Sequence, residues 1–351
     1  MRRVTNSAGA AVAVPSTNAR PSIAHHALIV ALFLVAFAGT CGLLHSRLPF
    51  PSVPDIAPRF RYFAEHKDEF DTIFIGSSRI RHGIIPQVFD EAAAKNGVPT
   101  HSFNLGYSGM WPPESYYYLR QVLALHPKKL RNVFIELMDY RLGQAEGEAP
   151  TMRSVYWHDV PHTGMALRLV AESPLSFNEK VGLFATHAHE FVQNMTNPGR
   201  GAEWLEQRYF PARKKVDTSW ISRRGFDPEP ATEWSEAAQE EYRRQIRVFE
   251  EASTHEHWRP GFAAALDDIL GKVNQTRAKA ILVIPPTVRP EEHFTACPRG
   301  AFFGFYFDSP SKYPRLYLPE LHYDPGHLNE AGAREFTTQL AEHFTTAWMT
   351  W

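Results

Sequence analysis

Residues 71–79 read Asp71-Thr72-Ile73-Phe74-Ile75-Gly76-Ser77-Ser78-Arg79, a short apolar run halted by a glycine and two serines. A run this brief, rich in β-branched and aromatic residues and closed by turn formers, predicts a buried strand. Two similar runs follow, His101 to Leu105 and Asn132 to Leu137. Helical patterns separate them, at 86–96, with Pro86 in an early helical position, and at 113–126. Strands alternating with helices at this spacing predict an α/β domain, a parallel sheet with helices on both faces. The alternation then breaks. Residues 142–235 carry many aromatics, prolines and histidines with no strand pattern, and 236–252 and 260–277 read as helices. It resumes at Ala280-Ile281-Leu282-Val283-Ile284-Pro285-Pro286 and closes with a helix over 329–347, for which Asn329 is the expected N-cap. Upstream, 59–70 also reads as a helix. The chain from 71 to 351 is thus expected to be one α/β domain carrying a mostly helical insertion at 142–257. The insertion serves either packing or the shaping of a substrate site.

Bulk properties narrow the function. The chain has 351 residues, 44% of them apolar, and a formal charge of -1 from 37 basic and 38 acidic side chains. That balance gives no electrostatic footprint for a polyanion, so nucleic acid is not an expected partner. The only cysteines are Cys41 and Cys297, which excludes a disulfide framework and a cysteine-rich zinc site.

The N-terminus speaks to location. Residues 27–44, ALIVALFLVAFAGTCGLL, form an uncharged stretch preceded by Arg2, Arg3 and Arg20, with no acidic residue before Asp55. Its length reaches the lower limit for a membrane-spanning helix, and apolar residues on every face speak against a core helix. The upstream basic residues favour residues 1–26 as a cytoplasmic tail. The expectation is a single-pass anchor in the inner membrane with the rest of the chain outside the cytoplasm. Cleavage after Ala36-Phe37-Ala38 is the alternative, and a lipoprotein signal at Cys41 is a poorer one. Residues 45–58, with four prolines, read as a linker, so 45–70 comprises linker and leading helix.

Three segments carry chemistry. Ser77 and Ser78 stand where the first strand ends and a helix begins, at the carboxyl edge where open α/β sheets place ligands. Asn104-Leu105-Gly106-Tyr107-Ser108-Gly109 follows the second strand; its glycines permit close backbone approach, and Asn104 offers a side-chain donor. His322-Tyr323-Asp324-Pro325-Gly326-His327 precedes the last helix. Across a tight Pro-Gly turn the Asp324 carboxylate can accept a hydrogen bond from His327, fixing its tautomer and stabilising the imidazolium. His322, Asp324 and His327 could alternatively hold a metal, but no further ligand cluster stands out beside them.

In this order the segments resemble the SGNH, or GDSL-type, hydrolase family. The resemblance covers roughly 71–141 and 278–347, and it implies a flavodoxin-like three-layer α/β/α fold. It also implies Ser78 as nucleophile, His327 as base and Asp324 as its acid, with no metal or organic cofactor. Of the family's oxyanion donors, the serine N–H maps to Ser78 and the second-block glycine to Gly109, with Gly106 as the neighbouring choice. The sequence departs from the family twice. Gly-Asp-Ser becomes Gly-Ser-Ser, which makes Ser77 a rival nucleophile. The third-block Gly-x-Asn-Asp is replaced by Glu136-Leu137-Met138-Asp139-Tyr140-Arg141, so Asn104 is expected to complete the oxyanion hole. A negative Asp139 cannot serve there; it is expected to pair with Arg79 or Arg81, or to orient Asn104. Gly-Ser-Ser with an anchor resembles the branch containing D-alanyl transfer and polysaccharide O-acetylation proteins. By that resemblance the partners are an acyl donor, a glycan acceptor or acylated glycan, and a membrane-bound acyl-transfer protein. The competing class is a non-catalytic scaffold of the same fold in an envelope polysaccharide assembly.

Other residues have bland first readings. His187 and His189 are expected on the polar surface of a helix rather than as ligands. Tyr116-Tyr117-Tyr118 reads as helix packing, Trp111 as a sugar platform or core, and Phe302 to Phe307 as an acyl groove or a buried strand.

Overall fold

The computed structural model describes residues 22–143, 151–197, 199–209, 217–251, 260–289 and 303–349. Arg2, Arg3, Arg20, Cys297, Phe302 and parts of the insertion lie outside them. The chain divides into two units, 1–47 and 48–351.

In the first unit, helix α1 (Ile23–Arg47) contains a candidate span, Ile23–His45, whose most apolar 18-residue window has a mean hydropathy of 2.5 and is almost wholly exposed. Its 23 residues extend about 35 Å at 1.5 Å per residue, enough to cross a hydrocarbon core of about 30 Å. The helix is four residues longer at its start than the uncharged run alone.

The second unit is α/β. It runs α2 (Ile56–His66), β1 (Thr72–Ile75), α3 (Ser78–Gly83), α4 (Pro86–Lys95), β2 (Ser102–Asn104), α5 (Glu114–Ala124) and β3 (Asn132–Glu136). The insertion contributes α6 (Met152–Val155), α7 (Val160–Glu172), α8 (Phe177–Thr196), α9 (Arg200–Tyr209), α10 (Ser219–Ser222) and α11 (Glu236–Glu251). The core resumes with α12 (Pro260–Asn274), β4 (Lys279–Ile284), β5 (Gly304–Tyr306), the small hairpin β6 (His322–Asp324) and β7 (His327–Leu328), and α13 (Glu330–Trp348). Helix α2 begins at Ile56, inside the proline-rich stretch read as linker, because Pro58 falls in its first turn, where a missing N–H costs nothing.

Five strands pair in the order β2-β1-β3-β4-β5, all parallel. This is one of the two common doubly wound orders, and its switch point lies between β1 and β3. Strand side chains alternate between the faces. Ile73, Ile75, Val133, Ile135, Leu282 and Ile284 share one core with α2, α5 and α12 residues such as Phe63, Leu119 and Phe262. Phe74, Phe134, Ile281 and Val283 share the other with Phe89 of α4 and Phe336, Leu340 and Phe344 of α13. Continuous burial along β1, β2 and β3 follows, as expected for a sheet covered on both sides. Phe305 lies in β5 and Phe307 just after it, both buried in the second core, so this part of the Phe-rich run is an edge strand and its exit rather than a groove.

Residues 224–229 of the insertion lie along the outer edge of β2 and over α3. The Asn104 N–H donates to the Arg224 carbonyl at 2.9 Å, and the Asp227 N–H donates to the Arg81 carbonyl at 3.2 Å. Gly225 makes this possible: its φ is +93°, and a Cβ there would collide with the Asn104 carbonyl.

Candidate active site

Ser77 and Ser78 follow β1 at the switch point. Ser77 is the N-cap of α3; its hydroxyl accepts from the Arg79 N–H at 3.2 Å and donates to Glu136 at 3.1 Å. Ser78 is the first helical residue, half-buried, and its Oγ lies 2.8 Å from His327 Nε2. The Ser77 hydroxyl is thus engaged in holding the turn, while Ser78 is the serine in contact with the imidazole.

On the other side of the ring, His327 Nδ1 lies 2.9 Å from each Asp324 carboxylate oxygen, and the Gly326 N–H donates to Asp324 Oδ1 at 2.7 Å. A carboxylate on Nδ1 places the proton there and leaves Nε2 as an acceptor facing Ser78. Partial burial pulls the Asp324 pKa up, but hydrogen bonding and charge from His327, with the Gly326 N–H, outweigh it and hold the group below its ordinary value. The site is open: the His327 and Asp324 side chains are 24% and 41% exposed. Among the described residues the insertion flanks the site and does not roof it. His322 anchors the hairpin instead of joining a metal site. It is buried, with Nε2 against the Leu316 carbonyl at 2.8 Å and the Tyr242 hydroxyl at 3.0 Å.

Two sequence expectations are overturned. Asn104 is fully buried and its amide donates to the carbonyls of Ile80 and Ile84 at 2.7 and 2.8 Å, so it has no hydrogen left for an oxyanion. Its Oδ1 accepts from the Gly106 N–H at 2.8 Å, which removes Gly106 as well. Asn104 is a brace beneath α3. Asp139 is not the partner of Arg81 and does not orient Asn104, whose amide hydrogens are both committed to Ile80 and Ile84; its carboxylate accepts from the Tyr140 N–H at 2.8 Å. Arg79 pairs with Glu136 at 2.9 Å and Arg81 with Asp227 at 2.5 Å. Sheet order explains this, because β1 and β3 are neighbours and the last residue of β3 falls directly beside the Gly-Ser-Ser turn. Of the remaining oxyanion donors, the N–H groups of Ser78 and Gly109 meet no acceptor among the described residues.

Glu136 is the functional neighbour that sequence reading passed over. Its carboxylate accepts from the Ser77 N–H at 2.5 Å, the Ser77 hydroxyl and Arg79 Nε. It approaches so closely that a Cβ on Gly76 would collide with Glu136 Oε2. His82 is a second. Its Nδ1 donates to the Asp227 carbonyl at 2.7 Å, and its ring stands edge-on to His327 with centroids 6.1 Å apart. Burial pushes its pKa down to about 4, so it is neutral beside the triad. Glu229, facing His82 at 3.4 Å, is shifted up by burial.

Beside the Gly109 loop lies a cleft lined by Trp111, Glu114, Arg141, Arg153 and Trp157. Trp111 is half-buried rather than core, with the Arg141 and Arg289 guanidinium groups 5.4 and 5.9 Å from its ring centroid. Arg289 reaches the triad hairpin, its Nη2 3.5 Å from where a Cβ on Gly326 would sit. Tyr116, Tyr117 and Tyr118 pack in the core as expected. Comparison with protein-family models gives no match, and no curated protein is significantly similar to the chain.

Proposed function

We propose that this chain is an SGNH-type serine esterase or O-acyltransferase, anchored by α1 and acting outside the cytoplasm on an exported glycan. The observation that carries the reading is the series Ser78 Oγ, His327 Nε2, His327 Nδ1 and Asp324, linked at 2.8 and 2.9 Å. The 2-1-3-4-5 strand order with helices on both faces is that of flavodoxin-like domains and supports the same family.

His327 Nε2 takes the Ser78 proton as Oγ bonds to the ester carbonyl carbon. The resulting oxyanion is met by the N–H groups of Ser78 and Gly109, and Asp324 stabilises the imidazolium. Collapse breaks the ester C–O bond, and the leaving oxygen takes the proton from His327. The acyl group remains on Ser78 until His327 deprotonates water or a sugar hydroxyl that attacks its carbonyl carbon; collapse then breaks the acyl–Oγ bond and Ser78 Oγ takes the proton back from His327.

Labelling with a fluorophosphonate probe tests the reading. Wild type is expected to label and Ser78→Ala to abolish labelling, while Ser77→Ala retains most of it. Loss in Ser77→Ala with retention in Ser78→Ala would move the nucleophile. An unlabelled wild type would favour the non-catalytic scaffold.

A further inference from the structure

The insertion contains a second constellation, remote in sequence from the serine site and independent of its chemistry. His158 lies between α6 and α7, and His187 and Glu190 stand one turn apart on α8. All three are buried, at 0, 2 and 4% exposure. His187 therefore differs from the surface position expected of it, while His189 is exposed.

The hydrogen bonds fix the tautomers. His158 Nδ1 lies 2.7 Å from the Ser154 carbonyl, and His187 Nε2 lies 3.0 Å from the Leu142 carbonyl. A carbonyl only accepts, so each of these nitrogens carries its ring's proton. In neutral rings the other two nitrogens, His158 Nε2 and His187 Nδ1, are then both bare lone pairs, and they face each other at 2.9 Å. Glu190 Oε2 lies 3.0 Å from His158 Nε2 and has no hydrogen-bond partner. Two imidazole lone pairs and a buried carboxylate oxygen thus converge, the three ligand atoms lying within 4.8 Å of one another. Such a meeting repels unless a cation occupies it.

We propose that His158 Nε2, His187 Nδ1 and Glu190 Oε2 bind a divalent transition-metal ion of the zinc type. Two histidines and one carboxylate are an established donor set for such ions. Outer nitrogens donating to backbone carbonyls are the usual device that orients metal-binding imidazoles. At a metal–ligand distance of about 2.1 Å the 2.9 and 3.0 Å separations from His158 Nε2 to His187 Nδ1 and to Glu190 Oε2 each subtend an angle of about 90°. The ion would clip the loop before α7 to α8. The clip has a consequence for the cleft: Trp157, which lines it beside Gly109, stacks on the His158 ring with centroids 3.7 Å apart.

The test uses the full chain in detergent micelles, stripped with a chelator and titrated with Zn2+ and, separately, Co2+. Binding of about one equivalent is expected, with a visible Co2+ absorption band and a Zn2+-dependent rise in Tm. His187→Ala and Glu190→Gln should each weaken Zn2+ binding roughly tenfold or more, since even outer-shell changes cost that much. His189→Ala should leave it unchanged. If His187→Ala does not fold, Glu190→Gln carries the comparison, because it preserves size and leaves both imidazoles in place. Absence of tight Zn2+ binding by wild type, or binding unchanged in the variants, would overturn the proposal and leave a shared proton between the two rings.

Discussion

Glu136→Gln offers the sharpest perturbation of the nucleophile's support. The Glu136 side chain is 0% exposed and that of its partner Arg79 5%, so water cannot replace a lost charge. The glutamine oxygen can still accept from Ser77, but its amide turns a donor toward groups that are themselves donors. Removing one member of a buried ion pair costs about 3–5 kcal/mol, because the other charge stays buried. In a unit spanning 48–351 that is a fall in Tm of roughly 5–8 °C. Arg79→Met alone should also destabilise, whereas Glu136→Gln with Arg79→Met removes both charges and should recover at least about 1 kcal/mol relative to additivity. Thermal unfolding of the four proteins in micelles reads the coupling, and the rate of fluorophosphonate labelling reads the site. Labelling should slow in Glu136→Gln, since the Ser77 N–H and hydroxyl that fix the turn lose their acceptor geometry. A single variant within about 0.5 kcal/mol of wild type, or strictly additive effects, would refute the argument.

His82 gives a pH dependence. Its folded pKa of about 4 lies below the ordinary 6.5, so between these values the unfolded chain binds a proton that the native chain does not, and stability falls as pH falls. Lowering the pH from about 7.5 to about 5 should remove about 2 kcal/mol through this group, and His82→Gln should flatten that part of the profile; an equally steep profile in the variant would defeat the assignment. For topology, a phosphatase reporter fused after Trp351 should be active, with the protein in the membrane fraction, and an inactive reporter would place the serine site in the cytoplasm. For the reaction, an acyl-ester donor supplied with glycan oligosaccharides should yield acylated oligosaccharide at the expense of free acid by mass spectrometry. Both products should vanish in Ser78→Ala, and free acid alone with every acceptor would mark an esterase.

What the sequence made legible was local. Ser78 was readable because a strand stop and a helix start are written within a few residues of it, and Asp324 with His327 because a three-residue spacing closes in a single turn. Strands β1 to β4 fall within a residue or two of their apolar runs for the same reason. The contacts that could not be read are those set by sheet order. Glu136 meets Ser77 only because β3 lies beside β1, and Arg81 finds Asp227 at a separation of 146 residues through the segment along β2. Asn104 was misjudged because a side-chain amide after a strand suits an oxyanion hole as well as a brace, and only the carbonyls of Ile80 and Ile84 decide between them. His158 and His187 are 29 residues apart on different elements, a spacing with no local signature.

The open triad bears on whether acyl transfer needs a lid. With Ser78 half-buried and the His327 and Asp324 side chains 24% and 41% exposed, the proposed acyl-serine would stand within reach of water, and the described insertion would not supply selectivity by excluding it. Selectivity is available from positioning. A hydroxyl held in a near-attack geometry reacts at an effective molarity on the order of 10^5 M or more, far above the concentration of bulk water. A bound acceptor therefore outcompetes solvent in an open site, provided a platform beside His327 orients it. Under the proposed function Trp111 is the candidate for that platform: it is half-buried beside the Gly109 loop, and Arg289, over its ring, reaches the hairpin that carries Asp324 and His327. In this reading the partition between transfer and hydrolysis is a property of acceptor binding. The ratio of acylated oligosaccharide to free acid should then rise and saturate with acceptor concentration, and removing the Trp111 ring should lower that ratio while leaving Ser78 labelling intact.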